Sequence, residues 1–271
     1  MVRICPGVPV STRLAQSVCI AAAVAVCLAG QASAAWPGDY DPRYVQAVEN
    51  TSGTVPNEVV RESNHLAHLG DSRMEWSGDR LIMTMLTDFA GYDRYYSDSR
   101  YRPEVWVAPV GETAEFFRAE TGQVDDLELR YRQYMGMPAG HSDDRIVELL
   151  IHPDMLFRPA EDTRIESASL GPGRDTTQYE KASVLYPTFD QWWANQMHTY
   201  DADSNPPYPW TRLGYTYDWG GSPDEVVGST EFIVKRWGTG TTWLRDAAGD
   251  WYQASFSVPG AEYAVTVHAV V

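Results

Sequence analysis

DWYQASFSV, residues 250–258, alternates strictly. Tyr252, Ala254, Phe256 and Val258 fall on one side of an extended chain, and Gln253, Ser255 and Ser257 fall on the other. A period of two marks a strand with one dry face and one wet face, as antiparallel sheets require. Residues 229–237 and 263–271 carry the same periodicity, and Pro259-Gly260 supplies a turn between the last two segments. The C-terminal third therefore predicts a closing antiparallel meander.

Upstream, strands and helices interleave. RLIMTMLT at Arg80–Thr87 is a nearly continuous apolar run of strand length. Val105-Trp106-Val107, ending at Pro109, and RIVELLIH at residues 145–152 extend the series. Asp41-Pro42 reads as an N-cap followed by proline at the first helical position, with Gly53 just past the helix end. Residues 57–69, 112–121, 126–135 and a segment from Thr188 carry helical patterns, with Gly70, Gly122 and Gly136 placed as terminators. Leu127, Tyr131, Tyr134 and Met135 form one apolar stripe, which leaves Asp126–Arg130 and Glu128–Arg132 as i,i+4 pairs on the wet side. Residues 153–157 read as a single helical turn. The polar segment 159–178, with Gly171-Pro172-Gly173, is a long loop or an internal boundary. Helices scattered among antiparallel strands give an α+β class.

Composition narrows the function. The chain has 271 residues, 37 of them acidic against 21 basic, for a formal charge of −16. Such a surface repels phosphate backbones and anionic bilayers, so nucleic acid is not an expected partner. Arg3 and Arg13 are the only charged residues before Ala34. Between them and a small-residue A-x-A site at Ala32-Ser33-Ala34 lies the apolar stretch 18–29. That is the layout of a cleaved export signal, too short for a comfortable membrane span. Residues 1–34 are read as the signal and 35–271 as one mature α+β domain, periplasmic or secreted. Cys5, Cys19 and Cys27 all lie in the leader, so a mature chain has no disulfide, thiolate metal site or cysteine nucleophile.

The most unusual stretch is YPWTRLGYTYDWG, residues 208–220. Tyr208, Trp210, Tyr215, Tyr217 and Trp219 surround Arg212 and Asp218. In an extended chain Tyr215, Tyr217 and Trp219 share one face, a stacking platform for a glycan or another polar ligand. Arg212 and Asp218 then supply directional hydrogen bonds. The alternative is that the rings are core.

PWTRLGYTYDWG at residues 209–220, with Gly91-Tyr92-Asp93, VWVAP from Val105 and DMLFRP from Asp154, resembles a group of bacterial proteins with no established activity. The resemblance spans about residues 81–234. It implies common ancestry and one shared fold for these segments, and it assigns no catalytic residue and no ligand.

Glu231 is the second candidate, a lone carboxylate in the otherwise apolar 229–237 segment followed by Gly238-Thr239. The pattern is similar to the catalytic-glutamate strand of ADP-ribosyltransferases, although Ser229 and Thr230 precede the glutamate directly instead of sitting on another strand. Asp218 and Glu231 would also serve as the carboxyl pair of a glycoside hydrolase, with Arg212 as an electrostatic clamp. His65-x-x-His68 with Glu62 lacks a third zinc ligand. Asp201-x-Asp203-x-Asn205 begins like a calcium loop but continues with Pro206 and Arg212 where glycine and glutamate belong. Neither cofactor nor metal is expected. The ring density favours an exported recognition protein. A transferase or glycosidase using Glu231 and Asp218 is the first alternative, and a purely structural or interaction module the second.

Overall fold

The computed structural model describes residues 40–53, 65–88, 104–138, 140–143, 145–180, 186, 188–200, 207–235, 238–245, 251–258 and 266–270. Helix α1 is Pro42–Thr51, with the Asp41 side chain accepting from the Arg43 backbone N–H. Strands β1 (Trp76–Ser77) and β2 (Arg80–Thr87) lead to β3 (Val105–Pro109), then helices α2 (Val110–Glu120) and α3 (Leu127–Tyr134). Strand β4 (Arg145–Ile151), a 3-10 turn at Pro153–Met155 and β5 (Leu156–Phe157) follow, then α4 (Thr177–Glu180) and α5 (Phe189–Tyr200). The chain continues through β6 (Tyr215–Tyr217), β7 (Val227–Thr230), β8 (Phe232–Val234), β9 (Gly238–Arg245), β10 (Trp251–Val258) and β11 (Thr266–Val270). The class is α+β.

The main sheet is seven-stranded and antiparallel, in the order β11-β4-β2-β3-β8-β5, with β1 also on β2. Its strands sort their side chains by alternation. Phe232 and Val234 join Met83, Val147 and Leu149 in one buried cluster. Ile233, between them, joins Phe157, Trp192 and Trp210 in another. Both faces are thus dry around β8, and burying each such side chain contributes roughly 1.5–3 kcal/mol.

Several expectations change in detail. Residues 229–237 are not one strand. The chain breaks at Glu231, so β7 pairs with β6 in a small sheet while β8 pairs with β3 and β5 in the large one. The terminal strands divide as well: β9 and β10 form a hairpin, and β11 adds to the edge beside β4. The 153–157 turn is helical only to Met155 and then extends as β5. Residues 65–69 are not helical. Their backbone bonds instead to the 159–178 segment, Leu66 N–H to Ala168 O at 2.9 Å and Leu69 N–H to Ile165 O at 3.0 Å. Buried Arg158 strengthens that seam by donating to Ala67 O and Ser167 O, and its desolvation pulls the guanidinium pKa down to about 10. The remainder of the 57–69 segment, the Pro259-Gly260 turn, the 201–206 acidic loop, Glu62 and Gly91-Tyr92-Asp93 lie outside the described residues, as do the side chains of β9, β10 and β11.

Candidate functional site

The 208–220 segment folds back on itself. Trp210 and Thr216 form an isolated antiparallel bridge, and Thr211 Oγ1 donates to Tyr215 O at 2.5 Å. The turn forces Arg212 to φ 63°, and Gly214 follows at φ 78°. A side chain at 214 would strike Arg158 Cδ, 2.5 Å from where its Cβ would sit, so glycine is required there for space as well as conformation. This turn throws Arg212 across α1. Its guanidinium donates to Gly53 O and, at 2.6 Å, to Thr51 O, capping the negative end of the helix.

The other members of the segment hold the same helix. Asn50 Nδ2 donates to Tyr217 Oη at 2.8 Å, Tyr44 Oη donates to Pro207 O at 2.7 Å, and the Tyr44 and Trp219 rings meet edge-on at 5.5 Å. Asp218 binds Arg130 bidentately at 2.8 Å and accepts from the Gly220 and Gly221 N–H groups. Arg130 therefore faces Asp218 and Glu120 and not Asp126, which instead caps α3 through the Leu129 N–H; Glu128–Arg132 pairs as expected.

The exposed aromatic face expected from alternation is not formed. Tyr215, Tyr217 and Trp219 are 0%, 5% and 3% exposed. The physical reason is that α1 covers part of this face: Asn50 Nδ2 donates to Tyr217 Oη, and the Tyr44 ring packs edge-on against Trp219. Tyr217 reaches one cavity and Tyr215 another, while Trp219 donates its indole N–H to Met137 O at 2.9 Å and lines neither.

The first cavity holds about 360 Å³, within the range of small-molecule sites. Trp106, Tyr208, Trp210 and Tyr217 supply its rings, Met85 and Met137 part of its apolar wall, and His141 and Glu231 its titratable groups. Trp106 and Trp210 meet edge-on at 5.8 Å, and Trp193 backs Trp210 at 4.9 Å, so the indole wall is rigidly packed. Glu231 enters from the corner between β7 and β8, where its own N–H donates to Gly214 O at 2.9 Å. The residue as a whole is half-buried, yet its Oε2 is closed off from water and has no hydrogen-bond partner among the described residues. Desolvation alone pushes its pKa up to about 8. At neutral pH it is predominantly a neutral carboxylic acid, a donor inside an apolar cavity.

His141 and Tyr208 line the same cavity. Buried Asp143 places Oδ2 2.8 Å from His141 Nδ1 without forming a hydrogen bond, and His141 Nε2 lies 3.0 Å from Tyr208 Oη. Desolvation raises the Asp143 pKa and pushes the Tyr208 phenol up to about 12. His141 and Asp143 sit in the short loop between α3 and β4. They carry no periodicity and no motif, so the sequence alone gave no reason to choose them. A weak signal was present: a His-x-Asp pair beside a strand start, the spacing at which a carboxylate can face an imidazole.

A second cavity, of about 320 Å³, is lined in part by His65, Arg73, Glu112, Tyr134, Tyr215 and Thr230. Glu112 accepts there from Arg73 Nη1 (2.8 Å), Ser229 Oγ (2.8 Å), Thr230 N–H (2.6 Å) and Thr230 Oγ1 (2.8 Å). These bonds consume its accepting capacity, which marks it as a structural carboxylate.

Of the sequence candidates, Tyr208, Trp210, Tyr217 and Glu231 share the first cavity. Arg212 and Asp218 line neither cavity. His68 stands 3.7 Å from Asp71, and no group of three potential metal ligands occurs among the described residues. No helix among them is long and apolar enough to cross a membrane. No protein family, curated protein or solved structure matches the chain.

Proposed function

We propose that the chain is an exported recognition protein whose aromatic-walled cavity takes a compact ring-shaped ligand with a polar edge, a single sugar unit being the reference case. The observation that carries this reading is a lone carboxyl side chain, Glu231, lining a cavity walled by Trp106, Trp210, Tyr208 and Tyr217. Indole faces offer apolar contact to ring C–H groups, and a neutral carboxyl offers one directional donor to a ligand oxygen. The leader pattern before residue 35 supports action outside the cytoplasm, with cleavage near Ala34. N-terminal sequencing of the exported product checks that point.

Binding is read by tryptophan fluorescence, titrating monosaccharides, their aryl glycosides and simple ring ketones. A saturable change is expected for at least one class. Glu231→Gln, which keeps a donor, should hold affinity within about threefold, whereas Glu231→Leu should weaken it about tenfold, the worth of one buried hydrogen bond. A flat response across the panel overturns the reading.

A further inference from the structure

We propose that the aromatic-walled cavity selects a cation, an alkylated ammonium group such as a quaternary or N-methylated ring amine, held by the indole corner of Trp106 and Trp210 and by the charge of Glu231. The inference rests on the reading that this cavity binds a ligand, and it names the chemical class that the lining favours.

The first observation is the sign of the lining. Among the described residues that line the cavity, Glu231 is the one carboxyl, and none is lysine or arginine. The whole molecule works in the same direction: with 37 acidic and 21 basic residues, its formal charge of −16 concentrates cations at its surface.

The second is the ring geometry. Trp106 and Trp210 meet at 5.8 Å with their planes 86° apart, and Tyr208 and Tyr217 line the same space. Aromatic faces carry negative partial charge, so a cation within about 6 Å of a ring centroid is attracted to it. Two nearly perpendicular indoles enclose a corner, which fits a rounded group better than a flat one.

The third is the apolar remainder. Met85, Met135 and Met137 bring soft, polarisable thioethers to the wall, beside Leu86 and Val107. A primary ammonium carries three N–H donors that such a wall leaves unsatisfied. An alkylated ammonium spreads its charge over methyl groups, which pack against rings and thioethers and ask for no acceptor. Its attraction to Glu231 is a field that acts without contact, so the closure of Oε2 to water does not prevent it.

This arrangement links binding to pH. Burial is the sole cause of the high Glu231 pKa, with no neighbouring charge contributing, and it holds the proton up to about pH 8. An arriving cation favours the ionised carboxylate, so the proton leaves to solvent as the cation enters, and affinity rises between about pH 6 and about pH 9. His141, Tyr208 and Tyr217 are the other titratable groups in the lining. Burial raises both phenols, which keeps them neutral over this range. Any contribution of His141 survives in Glu231→Gln, so comparing the two proteins isolates the carboxyl.

The test is titration calorimetry of the full chain with four probes. These are choline, N,N-dimethylpiperidinium, piperidinium, and the neutral alcohol in which a tert-butyl group replaces the trimethylammonium of choline. Both alkylated cations should bind saturably and at least about tenfold more tightly than the neutral alcohol, and N,N-dimethylpiperidinium should bind more tightly than piperidinium. Glu231→Gln should weaken the alkylated cations at least about fivefold near pH 9, hold the alcohol within about twofold, and flatten the pH dependence. Trp106 is half-buried on β3, and Trp106→Leu should weaken the cations about tenfold with the alcohol much less affected. If that variant fails to fold, the comparison of choline with its neutral counterpart on the unaltered protein decides alone. Equal affinity for the two, or no binding of either alkylated cation, overturns the inference. Cation affinity unchanged in Glu231→Gln overturns the part assigned to the carboxyl. The sugar arm of the panel decides the binding reading separately, so the two failures are distinguishable.

Discussion

Two glutamates, Glu112 buried and Glu231 half-buried, show how burial alone does not fix a side chain's role. Glu112 and Glu231 are both desolvated, and both have pKa values raised by that desolvation. Glu112 is met by Arg73, Ser229 and Thr230, whereas Glu231 Oε2 meets none of the described residues. Removing the first should therefore strand its partners. Glu112→Ala is expected to cost about 1–3 kcal/mol in urea unfolding, because two buried hydroxyls and the Thr230 N–H lose their acceptor while part-buried Arg73 keeps Asp71. Removing the second should do the reverse at high pH. Since the folded state holds the Glu231 proton more tightly than the unfolded chain, this residue lowers stability as pH rises from about 4.5 to about 8. Glu231→Gln should be near neutral at pH 5 and stabilising by a few kcal/mol at pH 9. Equal effects at both values would contradict the shift. Of the two, only Glu231 was legible in the sequence, because a lone acid in an apolar run is visible in one dimension. Glu112 sits in an ordinary helical pattern, and its partners lie far off in sequence, Arg73 39 positions before it and Ser229 and Thr230 more than a hundred after it.

At the scale of elements, the 208–220 segment acts as a clip on α1. Its ring pattern was legible, but its burial was not. Alternation places rings on a face but does not say what covers that face, and here α1 packs on Tyr217 and Trp219. The same limitation explains residues 229–237, whose continuous pattern hides the change of sheet at Glu231. Caps were read well, because they are local: Asp41, Gly122 and Gly136 all stand where the helix ends require them. Arg130 was placed on the wet side for want of Asp218, whose position depends on tertiary packing. Arg212→Ala should remove two charge-assisted bonds to the end of α1 and cost about 2–3 kcal/mol. The loss should appear as faster amide exchange in residues 42–51 than in β2 and β4. Uniform loss of protection would contradict the clip.

For the whole molecule, composition gave the class and the charge, while the cavity came from the way the sheet, the 208–220 clip and the α3–β4 loop converge. No single one of them forms it, so no local pattern could announce it. The formal charge of −16 also has a global consequence. Self-repulsion should fall as salt is added, so Tm should rise between ~0.01 M and ~0.15 M NaCl, over which the screening length shrinks from ~30 Å to ~8 Å. An unchanged Tm would show that the acidic groups are already compensated. The proposed function depends on that convergence keeping one carboxyl protonated near neutrality. Site-assigned ¹³C NMR of the Glu231 carboxyl across a pH series measures it directly. The account predicts a midpoint near 8; a midpoint near ~4.3, where a solvated glutamate titrates, would contradict it.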